Sequence, residues 1–228
     1  MKENIQLQIF NNFVEVSKKA VDIFFDVHQS SNSRFYIVPG GKTPRLFFSM
    51  LAGRIKHWAN TQFILSDERL TYNKKLSNTA MFEENFIKKI KSNNEPLLIQ
   101  NNLNDIQSII ENRLKSLTPN LAVLGLGADG HTASLFPGDP EIFNENDDIL
   151  IKTKNDSEDF DRISLTFDYL MKAEEILFLV NGKEKAEALR ECLEGRFNPV
   201  QYPAQFIFKN YKNDIHVLCD QLAAKYLA

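Results

Sequence analysis

The sequence predicts an α/β protein: a single domain built on a doubly wound, mainly parallel sheet with helices on both faces. Short β-branched and aromatic runs alternate along the chain with longer segments of helical period, the pattern of strand, crossover helix and parallel strand. The length, 228 residues with 43% hydrophobic content, allows one sizeable core or two small ones. No Pro/Ser-rich linker, internal repeat or low-complexity tract divides the chain, which favours one domain over 1–228.

IQLQIF alternates cleanly from Ile5 to Phe10 and reads as a half-buried edge strand, after which Phe13, Ala20, Phe24 and Val27 recur at helical spacing up to about Gln29. RFYIV (34–38) is a compact strand that breaks at Pro39-Gly40-Gly41, and from Pro44 the positions Leu46, Phe47, Met50 and Leu51 read as a helix. Strand, glycine turn, helix is the unit, and it recurs. QFIL (62–65) leads through SDERLTYNKKLSN to a helix carrying Phe82, Phe86, Ile87 and Ile90; LLI (97–99) precedes a helix with Ile106, Ile109, Ile110 and Leu114. Further strands are LAVLGLG (121–127), RISLTF (162–167), ILFLV (176–180) and DIHVL (214–218). The last two are followed by the helix KEKAEALRECLEG, capped by Gly195, and by a short C-terminal helix. The polar stretch 144–161 reads as a surface excursion.

Basic and acidic residues nearly cancel, 27 against 30, giving a net charge of -3 and a pI of about 5.9. That balance points away from a nucleic-acid-binding face or an anionic membrane surface, so an anionic ligand has to be held by a local cluster. Cys192 and Cys219 form no CxxC pair, as in a reduced protein with two free thiols. The N-terminus has polar residues where a signal peptide needs an apolar core, and no segment approaches the roughly 18 apolar residues of a membrane span. A cytoplasmic protein is expected. The oligomeric state is left open, and a monomer suffices.

In an open sheet of this kind ligands sit outside the carboxyl ends of the strands. Four loops there carry chemistry. In PGGKTP, Gly40 and Gly41 turn the backbone tightly, Thr43 is placed to cap the helix from Pro44, and free N–H groups meet the positive end of the helix dipole, which suits a phosphate. The same residues also make an ordinary capped turn, and the loop is neither GxGxxG nor a Walker loop. In SDERL, the triplet Asp67, Glu68 and Arg69 is either a solvated turn or an arginine for an anion with a carboxylate to orient it. In LGLGADGHTASLFPG (124–138), Gly125, Gly127 and Gly130 permit close backbone approach and positive φ. His131 can exchange a proton near neutral pH, Asp129 can fix its tautomer or hold a hydroxyl, and Thr132 or Ser134 can cap a following helix. A serine nucleophile fits poorly without GxSxG, and one His-Asp pair supplies too few ligands for a metal. Arg162, Lys183 and Lys185 reach the same sheet edge, where each is either a further anion contact or a solvated charge. His28, His57 and His216 read as structural or surface residues.

Together, PGGKTP, SDERL with Ser77-Asn78, LGLGADGHTASLFPG, RISLT and the NGKEKA turn resemble, in this order and at these separations, the 6-phosphogluconolactonases. The resemblance runs from about Arg34 to Lys209, and DGHTASLFPG is its most specific part. It implies hydrolysis of 6-phospho-D-glucono-1,5-lactone to 6-phosphogluconate, in the oxidative pentose phosphate pathway, with no metal and no organic cofactor. The implied partner is a small sugar-phosphate lactone. Such chemistry needs a base to activate water, donors for the tetrahedral oxyanion and a cationic cradle for the phosphate. By resemblance His131 is the general base, Asp129 positions it, and Arg69 meets the phosphate or the oxyanion, with Asp67 as the other candidate for the water proton. Gly40, Gly41, Lys42, Thr43, Arg162 and Lys185 form the implied phosphate site. The chain departs from the family in two places. Lys42 stands where serine or arginine is frequent, and the approach to RISLT reads NDSEDFD where prolines are common.

Two rival readings share this fold. Glucosamine-6-phosphate deaminases look like DEY where this chain has Asp67-Glu68-Arg69, and like DGHxxFNEP where it has DGHTASLFPG, so the glutamate of their ring-opening machinery is replaced by Leu135-Phe136-Pro137. A catalytically silent sugar-phosphate sensor would carry a helix-turn-helix segment, for which a first strand at Ile5 leaves no room at the N-terminus.

Overall fold

A computed structural model describes residues 2–31, 33–90, 97–99, 107–144, 148–155 and 157–228. The main sheet has seven strands, β1 (Ile5–Phe10), β2 (Arg34–Val38), β3 (Thr61–Leu65), β5 (Leu97–Ile99), β6 (Leu121–Gly125), β9 (Glu175–Val180) and β10 (Ile215–Asp220). All its pairings are parallel, and the spatial order is β1-β10-β9-β6-β2-β3-β5. A second, antiparallel sheet orders β4 (Asp67–Arg69), β8 (Asp161–Leu165) and β7 (Leu150–Lys154) as β4-β8-β7.

The apolar runs follow from burial on both faces of the main sheet. In β2, Phe35 and Ile37 enter one hydrophobic core while Tyr36 and Val38 enter the other, and all four are wholly buried. Ala122 and Leu124 of β6 oppose Leu121 and Val123 in the same way. One core is closed by α1 (Phe13–Ser30), α2 (Arg45–Arg54) and α3 (Asn78–Asn85), the other by α4 (Gln107–Leu114), α5 (Phe167–Leu170), α6 (Ala186–Leu193) and α7 (Gln205–Asn210). Asn12 caps α1, its side chain accepting from the Val14 and Glu15 N–H groups. Phe24, Tyr36, Trp58 and Phe63 stack in the first core at ring separations of 4.4 to 6.3 Å.

His28 lies in this aromatic nest, where Nε2 donates to the His57 carbonyl at 3.3 Å and Nδ1 accepts from the Tyr36 hydroxyl at 3.2 Å. Both contacts suit the neutral ring. Burial, aided by the nearby Arg34 charge, pushes its pKa down to about 4, against a small opposing effect of the His57 carbonyl. The unfolded chain therefore binds a proton that the folded chain refuses, and stability present above the unfolded pKa of about 6.5 is lost as pH falls toward 4. Denaturant melts across this window are expected to show a loss of about 3 kcal/mol, which His28→Gln flattens.

Several sequence expectations are corrected. RISLTF does not join the main sheet: its strand, β8, pairs antiparallel with Asp67–Arg69 and with Leu150–Lys154. The excursion 144–161 thus contains a strand, and DER is a strand too. The short C-terminal helix is absent, with only turns after β10, where the Asp220 carboxylate accepts from the Ala223 N–H. Gly195 sits one residue past the Glu194 cap of α6, its N–H donating to the Glu191 carbonyl. Ile106 lies outside the described residues.

Chain order places the functional loops. From β2 the chain builds outward through β3 and β5 on one side, and from β6 through β9 and β10 on the other. The reversal falls between β2 and β6, and there the loops after Val38 and Gly125 face each other, at the position where open α/β sheets bind ligands.

Candidate active site

A cleft of about 190 Å³ opens at this switch point. It is lined by Gly40, Gly41, Lys42 and Thr43 after β2, by Asp67 and Arg69 of β4, by His131, by Arg162 of β8 and by Lys185. Every residue expected in the site is here except Asp129, which stands behind His131. Lys185 is half-buried against the cleft, whereas Lys183 is exposed and does not line it.

The Asp129 carboxylate accepts from the His131 ring at Nδ1, 2.5 Å away, and from the His131 backbone N–H at 3.2 Å. This fixes the tautomer with its proton on Nδ1, and Nε2 has no partner among the described residues. Burial alone raises the Asp129 pKa, but the hydrogen bond and charge of His131 outweigh it and hold the carboxyl below its ordinary value. The pair sits in a tight loop. Gly127 N–H donates to the His131 carbonyl at 2.8 Å, and Tyr202 packs on Gly130, whose φ is 84°. A side chain at Gly127 would overlap His131 Nδ1 and Asp129 Oδ1. Gly127→Ala is therefore expected to push the ring off its line and lower turnover by about 100-fold, with the thermal midpoint little changed; kcat and a melt check both. Gly125 meets neither condition, having open space around it.

The phosphate turn differs from expectation in one respect. Gly41 takes φ 84°, as a tight glycine turn requires, but the helix begins at Arg45 with Pro44 as its cap and no side-chain capping bond, so Thr43 does not cap α2. Thr43 is left lining the cleft. Thr132 and Ser134 also cap nothing: Thr132 Oγ1 donates to the Gly125 carbonyl at 2.9 Å, and Ser134 Oγ to Asp67 Oδ2 at 2.7 Å. No helix follows them directly.

Asp67 is buried. Ser66 Oγ donates to Oδ1 at 3.0 Å; Ser134 Oγ, Asn78 Nδ2 and Arg162 Nη1 converge on Oδ2 at 2.7, 3.1 and 3.5 Å. Three of the four donors thus fall on Oδ2, and one on Oδ1. Arg162 is similarly engaged: Nε and Nη2 close on Glu158 at 2.8 and 2.6 Å, and Nη1 also donates to Ser134 Oγ at 3.3 Å. Its guanidinium, expected as a phosphate contact, lines the cleft while held between two carboxylates. The other cations lining the cleft are Lys42, Arg69 and Lys185.

Asn78 was visible in the sequence only as part of a motif. Its Oδ1 accepts from Gly41 N–H at 3.2 Å and from Arg69 Nη1 at 2.8 Å, while Nδ2 donates to the Asp67 carbonyl and carboxylate. One buried amide thus joins the phosphate turn, the arginine and the aspartate. Behind it Glu68 accepts from the N–H groups of Asn78 and Thr79 and from Ser77 Oγ, anchoring the start of α3.

Residues 13–217 match the family described as glucosamine-6-phosphate isomerases/6-phosphogluconolactonase. The chain belongs to this family. A curated 6-phosphogluconolactonase from Aggregatibacter actinomycetemcomitans is 30% identical over 89% of this chain and 92% of its own. The solved 6-phosphogluconolactonase of Thermotoga maritima superposes with a TM-score of 0.78 at 26% identity, covering 95% of this chain and 99% of that one. A monomeric glucosamine-6-phosphate deaminase superposes as well, with a TM-score of 0.81 at 20% identity over 96% of this chain and 99% of that one, which shows the common fold of the family and no more. The fold alone therefore does not separate the two activities that the family name joins. The loops must do so.

Proposed function

We propose that the protein hydrolyses 6-phospho-D-glucono-1,5-lactone to 6-phosphogluconate, the reaction named for its curated relatives. The observation that carries this reading is the His131–Asp129 pair, with Nδ1 tied and Nε2 open on a cleft lined by cations. Nε2 takes a proton from water as the oxygen attacks C1 of the lactone. Asp129 stabilises the imidazolium that forms, without itself accepting the proton. The tetrahedral oxyanion then collapses, the bond from C1 to the ring oxygen breaks, and His131 returns the proton to that oxygen. The new carboxylic acid ionises to the product carboxylate.

The turn at Gly40, Gly41, Lys42 and Thr43, with Lys185, holds the phosphate through backbone N–H groups and charge. Arg69 donates Nη1 to the Leu76 carbonyl and to Asn78, and so presents a fixed cation to the substrate. Asp67 and Arg162 position the cleft wall, Arg162 held by Glu158 and Asp67, and Asp67 also by Ser66, Ser134 and Asn78. At the position of the deaminase glutamate motif stand Leu135 and Phe136, both buried, so the loop adds no ring-opening carboxylate. A cytoplasmic site of action fits a phosphorylated substrate and two buried free cysteines. Among the described residues no helix is long and apolar enough to cross a membrane.

Offering the protein each substrate in turn tests the reading. Faster loss of the lactone than its spontaneous hydrolysis, with no ammonia from glucosamine 6-phosphate, is the expected result; ammonia release would move the chain to the isomerase branch.

A further inference from the structure

Beside the cleft lies a second cavity of about 350 Å³, and Gly41, Lys42 and Arg69 line both. Arg45, at the first turn of α2, and Lys75, in the loop before α3, add two more cations to its wall, while Met81 and Phe160 supply apolar surface. Glu158 is the one carboxylate in that lining, and both its oxygens are already held by Arg162. Among the described residues no carboxylate pairs with Lys42, Arg45 or Lys75. The first turn of α2 has no acidic residue and opens on an arginine, opposite to what the helix dipole favours. In a chain of net charge -3 this is a concave wall of mutually repelling cations, a local reversal of sign that a bound anion would relieve.

We propose that this cavity is a second anion site, continuous with the cleft, that takes an oligophosphate. A single phosphate is accommodated by the turn at Gly41 and by Lys185. A ligand with several linked phosphoryl groups can engage Lys42 and Arg69 and extend toward Arg45 and Lys75. Because Lys42 and Arg69 serve both spaces, such a ligand excludes the substrate phosphate, and its inhibition is competitive. The proposal concerns the second cavity and does not depend on which sugar phosphate the cleft takes.

Calorimetric titration of the whole protein with tripolyphosphate and with orthophosphate tests it without reference to activity. Tripolyphosphate is expected to bind at least about tenfold more tightly. Arg45→Ala with Lys75→Ala should weaken tripolyphosphate by about tenfold while orthophosphate stays within about twofold. A matched loss of charge at exposed positions that line neither cavity, Lys18→Ala with Lys115→Ala, should leave tripolyphosphate within about twofold. Equal binding of the two anions, no effect of the Arg45 and Lys75 pair, or an equal loss in the Lys18 and Lys115 pair would each overturn the site. Failure of the lactonase reading would leave all three binding results standing.

Discussion

Replacing His131 by alanine is expected to lower kcat for the lactone by about 10²- to 10⁴-fold while KM changes little. His131 Nε2 has no partner among the described residues, whereas Asp67 accepts from four donors and Asp129 is bound to the ring itself. The phosphate contacts lie on other loops, so binding of the ground state survives the loss of the imidazole. Full turnover by the alanine variant would remove His131 from the role of base.

The second large effect is structural. Glu68 is 5% exposed, and its carboxylate accepts from three backbone N–H groups, those of Arg69, Asn78 and Thr79, each at 2.7 Å, and from Ser77 Oγ at 3.0 Å. It places negative charge at the N-terminus of α3 and satisfies donors that burial would otherwise strand. Glu68→Ala is expected to cost about 3–5 kcal/mol, allowing about 1–3 kcal/mol for each buried donor left bare and some rescue by water. For a chain of this size that lowers the melting midpoint by about 10 °C. Because Asn78 hangs from the same anchor, kcat/KM should fall even at temperatures where the variant is folded. A thermal melt beside an assay separates the two effects; an unchanged midpoint would mean that Glu68 anchors nothing.

The main sheet was legible because its signal is local. A strand such as RFYIV, buried on both faces and ended by Pro39-Gly40-Gly41, declares itself within a few residues, and the alternation with helices then sets the topology. The small sheet was not legible. β4 is three residues long, β7 lies in a polar stretch, and their partner β8 is apolar enough to pass for a core strand. The site divides in the same way. Glycines, Asp129, His131 and the cations stand out by type within one loop each. Ser134 and Asn78 do not, since their roles depend on Asp67, 67 residues from the serine, and on Gly41, 37 residues from the amide. Arg162 stands out by its charge, and the fold brings Asp67, 95 residues away, onto it.

The claim that one cleft joins a water-activating histidine to a phosphate cradle is tested most directly by comparing kcat/KM for 6-phosphogluconolactone and unphosphorylated gluconolactone, in the native protein and in Lys185→Ala. Charge-assisted phosphate contacts contribute about 1.5–3 kcal/mol each, so the native protein should prefer the phosphorylated lactone by at least about 100-fold. Lys185→Ala should erode that preference by slowing the phosphorylated substrate alone. Equal kcat/KM for the two lactones in the native protein would contradict it.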